Sequence, residues 1–243
     1  MNTASGALSF VTDICGALKE LKRTGWVMRH VPFPESDSDH MHRCAMCALL
    51  LSQPADPLDD YSSENSRYHP RQVDSVKLLK MAVTHDLCES LAGDITPFCG
   101  VDHSDKHAKE MAAMQRIRNI VGDPLGEELF NLWMEYETQE TVEAIYCKDI
   151  DKFEMVVQAY EYEKKYLQIK SKDVDPLQDL MEGEELPSVI DQPLRRFFKT
   201  TNSVFRTPLF RRLDNELRDK REAMLKEKGG WCVTQEERQM YAS

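Results

Sequence analysis

Thr84-His85-Asp86-Leu87-Cys88-Glu89-Ser90-Leu91-Ala92-Gly93-Asp94 is the stretch on which the reading of this chain turns. An adjacent His-Asp pair, a Glu three residues later and a terminal Gly-Asp put one imidazole and three carboxylates within about three helical turns. The run that feeds it, Val76-Lys77-Leu78-Leu79-Lys80-Met81-Ala82-Val83, is apolar around most of its circumference and continues through Leu87, Cys88 and Leu91. That pattern predicts one buried helix from about Asp74, a good N-cap, to Leu91. A buried, uncompensated Asp86 is costly, so it needs a cation, a donor network or a proton. A divalent metal meets that need, because neutral imidazole and carboxylate are both ordinary ligands for one.

Outward from this stretch the chain reads as helices. Leu8, Val11, Ile14, Cys15, Leu18 and Leu21 recur at three and four, predicting an amphipathic helix over 7–22 that Thr24-Gly25-Trp26 ends. Val27 to Pro34 reads as extended or looped, and Glu35-Ser36-Asp37-Ser38 supplies capping side chains to a helix from about Asp39 to Leu51. Residues 52–73, rich in Pro, Asp and Ser, form a surface loop. Further helices are predicted over about 106–121, 125–136 and 140–166. Pro176, Gly183, Pro187 and Pro193 make 168–203 irregular, and a charged amphipathic helix covers about Pro208 to Lys228.

No β-period of useful length appears. The expected fold is therefore all-α, with one compact domain over 5–167. Residues 168–243 form an irregular segment plus an amphipathic helix that packs on the domain or on a partner subunit.

At 243 residues the chain can bury a core without staples. Its formal net charge of −11 argues against a nucleic-acid backbone as partner, since such binding neutralises phosphates with Lys and Arg. An anionic small molecule is compatible with it if a metal supplies the local positive charge. Seven scattered Cys read as reduced thiols, and no stretch approaches eighteen apolar residues. The expectation is a cytoplasmic protein, with nuclear entry left open, and no membrane span.

A lone His-Asp pair proves little in a chain with seven His. Weight comes from the sum: His40 near a helix start, the His85-Asp86 pair, Glu89 and Asp94 close by, and Asp149 and Asp151 on a later apolar helix. Such a set fits an octahedral N/O site better than a tetrahedral thiolate one. Periodicity does not choose between Asp149 and Asp151, since each sits beside apolar neighbours.

Six blocks carry a resemblance: Thr24-Gly25-Trp26-Val27-Met28-Arg29, Pro34-Glu35-Ser36-Asp37-Ser38-Asp39-His40-Met41, His85-Asp86-Leu87-Cys88-Glu89, Gly93-Asp94-Ile95, Tyr136-Glu137-Thr138-Gln139 and Lys148-Asp149-Ile150-Asp151. In order and content they resemble the signature blocks of the HD-domain 5′-deoxynucleotidases. The resemblance implies an HD-domain helical bundle that hydrolyses 2′-deoxynucleoside 5′-monophosphates with a divalent ion, Co²⁺, Mn²⁺ or Mg²⁺. It implies His40, His85, Asp86 and Asp151 as the ligands, so it picks Asp151 over Asp149.

Glu89 and Asp94 correspond to the carboxylates that position or deprotonate the attacking water. With the backbone carbonyl of Ile95, they alternatively hold a second ion. Arg29 is the phosphate-side candidate, with Trp26 beside it as a substrate contact. Where bacterial members carry Arg-Trp-Pro, this chain has Thr24-Gly25-Trp26-Val27. A homodimer is implied as well. The competing readings are another HD phosphohydrolase activity, on a cyclic nucleotide, a nucleoside triphosphate or an alarmone, and a non-catalytic helical scaffold stabilised by its metal.

Overall fold

The computed structural model describes residues 4–167, 190 and 193–228. An opening helical stretch comprises α1 (Ala4–Ser9), a π turn (Phe10–Ile14) and α2 (Cys15–Glu20). There follow α3 (Thr24–Val27), α4 (Asp37–Ala48), α5 (Ser75–Thr84), α6 (Glu89–Ala92), α7 (His103–Val121), α8 (Leu125–Thr138) and α9 (Val142–Tyr166). Two more helices, α10 (Arg195–Thr200) and α11 (Pro208–Glu227), come from the C-terminal part. Among the described residues there is no β-strand, only two isolated bridges, Lys22 with Ser36 and Leu167 with Ile190. The fold is all-α, and no helix among these residues is long and apolar enough to cross a membrane.

The helix starts follow from capping side chains. Ser36 and Asp39 form a reciprocal capping box at the head of α4: the Asp39 amide donates to Ser36 Oγ (3.1 Å) and the Ser36 amide to Asp39 Oδ2 (2.9 Å). Asp74 Oδ1 accepts from the amides of Val76 and Lys77 at the head of α5, both at 3.0 Å. Thr141 Oγ1 accepts from Ala144 to start α9. At the end of α6, Gly93 takes φ +78°, a left-handed conformation that a side chain resists, and this turn sends Asp94 back toward the site.

α4, α5 and α9 pack against one another at the centre, and α11 lies along α9. Two apolar clusters result. Leu78, Met81, Ala82, Cys44, Ile150, Phe198 and Phe210 belong to the first. Ile14, Leu18, Met41, Leu87, Cys88, Ile117 and Trp133 belong to the second, under the opening helix, α7 and α8. Each fully buried Leu or Met in them contributes about 1.5–3 kcal/mol. Met41 and Cys44 on α4 face different clusters, and so do Ala82 and Leu87 on either side of the His-Asp pair. The pair therefore sits on the seam between the two.

The structure departs from the sequence reading in three places. The helix predicted as continuous from Asp74 to Leu91 stops at Thr84, turns through His85–Cys88 and restarts at Glu89. The reason is local. The amides of Leu87 and Glu89 bond three residues back, to Thr84 and Asp86, and the ring of His85 occupies the carbonyl of Ala82, so the four-residue ladder is broken. Second, Thr24-Gly25-Trp26 does not simply end a helix but forms the one-turn α3. Third, the irregular segment 168–203 contains α10, anchored by buried Leu194 and Phe198. The rest of that segment before residue 193, apart from Ile190, lies outside the described residues.

Candidate metal centre and cleft

α4 delivers His40, the broken turn after α5 delivers His85 and Asp86, and the middle of α9 delivers Asp151. Their inner atoms converge. His40 Nε2 lies 3.6 Å from Asp86 Oδ2 and 3.4 Å from Asp151 Oδ1, and His85 Nε2 lies 3.4 Å from Asp86 Oδ2. His85 Nδ1 is 2.9 Å from the Ala82 carbonyl, which only accepts, so Nδ1 carries the proton and, in a neutral ring, Nε2 is a bare lone pair. That Nε2 is buried with no hydrogen-bond partner. His40 Nδ1 donates to Glu154 Oε2 at 2.5 Å, which aims Nε2 at the two aspartates. Two imidazole nitrogens and two carboxylates converging on one point, with His85 Nε2 unpartnered, form a donor set that fits a divalent ion.

Outer partners fix this geometry. Asp151 Oδ2 accepts from the Tyr136 hydroxyl (2.8 Å) and from Lys148 Nζ (3.0 Å), which leaves Oδ1 to point inward. Burial alone would raise the Asp151 pKa, but the Lys148 ammonium and the bond to His40 hold it well below the usual carboxylate range. Asp86 is likewise held low against its burial, by His85 and Arg23. For His40, burial and Arg23 push the pKa down, yet Cys44, Glu154 and Asp151 prevail and raise it well above the ordinary value. Cys44 Sγ approaches His40 Nε2 at 3.7 Å, and His40, Cys44 and His85 together form a group that can hold a metal. Burial pushes the Cys44 thiol up to about 12, which keeps it protonated, so imidazole and carboxylate are the better ligands.

Arg23, which sequence reasoning did not single out, is the hub of the neighbouring carboxylates. Its Nη1 lies 3.0 Å from Asp37 Oδ1, 3.0 Å from Asp86 Oδ2, 3.4 Å from Glu89 Oε2 and 4.0 Å from Asp94 Oδ1. Nothing local marks it, since a basic residue after Lys22 at a helix end reads as solvated. Asp37 was equally unmarked beyond capping. It is fully buried, its Oδ2 has no partner, and burial with the charge of Asp86 pushes it up to about 7. Glu89 is raised well above its ordinary value, by burial and then by Asp86. Asp94 is tied down by Thr24, whose amide donates to Oδ2 (2.6 Å) and whose hydroxyl donates to the Asp94 carbonyl (2.8 Å). The carbonyl of Ile95 accepts from Lys106 Nζ at 2.9 Å. Each group expected around a second ion thus has a resident cation beside it, Arg23 or Lys106.

A cleft of ≈ 470 Å³ opens next to the centre. Arg23, Asp94 and Glu154 line its inner end, and Arg29, which is exposed, lines it too. Trp26 forms part of its wall but is almost wholly buried. Its ring packs 4.3 Å from Phe197 and 5.3 Å from Tyr162, and its Nε1 donates to Glu35 (2.8 Å). Asp149 lies apart from the centre. Its Oδ2 accepts from the Arg206 amide (2.9 Å), the Thr207 amide (2.7 Å) and the Thr207 hydroxyl (2.7 Å), just before α11.

An HD domain family model matches residues 15–183. The chain is 40% identical over 208 residues to "5′-deoxynucleotidase HDDC2" of Dictyostelium discoideum, covering 86% of this chain and 95% of that one. It is 41% identical over 151 residues to the protein of the same name from Danio rerio, 62% of this chain and 67% of that one. Among solved structures, a conserved hypothetical protein from Pyrococcus furiosus superposes with a TM-score of 0.59 at 25% identity, covering 88% of this chain and 98% of that one. With its four inward ligand candidates on α4, the α5–α6 turn and α9, and with these relatives, the chain belongs to the HD-domain 5′-deoxynucleotidase family.

Proposed function

We propose that this protein hydrolyses 2′-deoxynucleoside 5′-monophosphates to deoxynucleoside and inorganic phosphate, with a divalent ion held by His40, His85, Asp86 and Asp151. The observation that carries the reading is the buried, unpartnered Nε2 of His85. It is aimed with His40 Nε2 at two carboxylates, beside a cleft large enough for a nucleotide. Co²⁺, Mn²⁺ and Mg²⁺ are the ions we infer, two imidazoles favouring the first two. The bound ion supplies Lewis acidity to a phosphoryl oxygen.

The chain's own groups do the rest. Arg23, locked by Asp37 and Asp86, presents a fixed positive charge at the inner end of the cleft, where the phosphoryl oxygens gain negative charge. Arg29 at the wall of the cleft is a second phosphate contact, and Trp26 shapes the wall beneath it. Asp94, positioned by Thr24, orients the attacking water in line with the scissile P–O bond and accepts its proton. Glu89 supports it from behind Arg23. The leaving 5′ oxygen takes its proton from solvent. The resemblance extends the reading to a cytoplasmic homodimer.

Phosphate release from a panel of deoxy- and ribonucleoside monophosphates, with Co²⁺, Mn²⁺ or Mg²⁺ added, tests the reading. Release from deoxynucleotides that Asp86→Ala abolishes is expected. No release from any deoxynucleotide by metal-loaded protein, or full activity in Asp86→Ala, overturns it.

A further inference from the structure

The wall of the same cleft carries a further pair. There Phe98, half-exposed at 48%, lies under the guanidinium of Arg196, whose Cζ stands 3.8 Å from the ring centroid. Phe98 follows the Gly93-Asp94 turn, whereas Arg196 belongs to α10, outside the residues that the family model matches. α10 is held firmly. Its preceding residue Leu194 donates its amide to Glu163 Oε1 (2.6 Å), Glu163 is gripped by Arg221 at 2.7 and 2.8 Å, and Arg221 stacks 3.9 Å from the Phe198 ring. The wall that α10 contributes is thus set in place before any ligand arrives.

We infer that Phe98 and Arg196 form the seat of the substrate's nucleobase, so that the C-terminal extension is a substrate-recognition element. The inference rests on the proposed activity. If the phosphate lies at Arg23 and Asp94, the planar base has Phe98 and Arg196 within the same cleft to stack on. A guanidinium plane over an aromatic face is the surface that a base stacks on, and such stacking tolerates every base because each has a π-face. Met28, Met155 and Phe197 add apolar surface to the same cleft.

Two readouts test the seat in Phe98→Ala and Arg196→Ala, with the unfolding midpoint checked against wild type. The first is kcat/KM for deoxyadenosine 5′-monophosphate divided by that for 2-deoxyribose 5-phosphate, which has the phosphate and no base. This ratio falls about tenfold, the size of one lost base-stacking contact. The second, needing no turnover, is the calorimetric Kd of deoxyadenosine, which rises by about the same factor. An unchanged ratio with an unchanged Kd overturns the seat, as does an equal loss on the baseless substrate. Should wild type release no phosphate yet bind deoxyadenosine in a manner both variants weaken, the proposed activity fails and the seat stands.

Discussion

Asp149 and Asp151 lie two residues apart on one helix in unrelated surroundings, so truncating each in turn tests whether Asp151 alone is a metal ligand. In Asp149→Ala the amide and hydroxyl of fully buried Thr207 lose their acceptor, together with the Arg206 amide. Each buried unsatisfied donor costs about 1–3 kcal/mol, so after some relaxation the loss is about 3 kcal/mol. For a chain of this size that corresponds to a fall of roughly 6–12 °C in Tm. The centre keeps all four converging side chains, so the stabilisation on adding metal is unchanged.

Asp151→Ala reverses the pattern. At Mn²⁺ a thousand times the wild-type Kd, binding stabilises the fold by about 4 kcal/mol, and a hundredfold weaker site retains only about 1.4 kcal/mol. Thermal and urea unfolding of both variants, in EDTA and in Mn²⁺, reads the two numbers independently. Equal loss of the metal increment in both variants would refute the assignment, and so would an Asp149→Ala protein that melts like wild type.

Two further expectations follow from buried charge. Glu35 is pushed up to about 7 from an ordinary 4.5, first by burial and then by the charge of Glu154, while Trp26 Nε1 bonds its Oε1. A carboxyl whose pKa is higher folded than unfolded contributes stability that is complete below about pH 4.5 and lost as the pH rises through about 7, on the order of 3 kcal/mol in all. Glu35→Gln keeps an acceptor for Trp26 and removes this slope, so it is more stable than wild type in urea at pH 8 but not at pH 4.5. Equal slopes in the two proteins count against the argument. Arg221→Met leaves Glu163 buried and unpaired at a cost of about 3–5 kcal/mol. Adding Glu163→Gln, which still accepts from Leu194, recovers most of that loss in urea unfolding, and no recovery would show that packing on Phe198 dominates.

Elements set by local chemistry were legible in the sequence. Ser36 and Asp39 announce α4, Asp74 announces α5, and the apolar period of 140–166 marks α9 to within two residues. The turn at His85–Cys88 was not, because Leu87, Cys88 and Leu91 continue the helical period while the break comes from backbone bonds that composition does not encode. α10 is too short for a period to show. At the site, His40, His85, Asp86 and Asp151 could be named because signature blocks contain them, but the groups that aim them are far away in the chain. Glu154 meets His40 across 114 residues, and Arg23 meets Asp86 across 63. Partnerships of that range depend on helix packing, and Arg23 and Asp37 carry no local mark of it.

The packing also explains why a cation belongs here. Asp37, Asp86, Glu89, Asp94, Asp151 and Glu154 crowd around one seam of the fold, with Arg23, Lys148, Arg43 and Lys106 among the nearby permanent cations. The C-terminal end of α5 adds partial negative charge at the same point. Burial and the charge of Asp86 raise the pKa of Asp37 and Glu89, while Cys44, Glu154 and Asp151 raise that of His40 against its burial. Asp86 and Asp151, by contrast, stay ionised far below neutrality and offer their oxygens to whatever cation arrives. A divalent ion held by His40, His85, Asp86 and Asp151 would supply positive charge among these carboxylates. His85 Nε2 is the one candidate ligand atom of the four that is buried without any hydrogen-bond partner. The broken helix that periodicity hides is what aims that atom inward, by fastening the opposite side of the ring to Ala82.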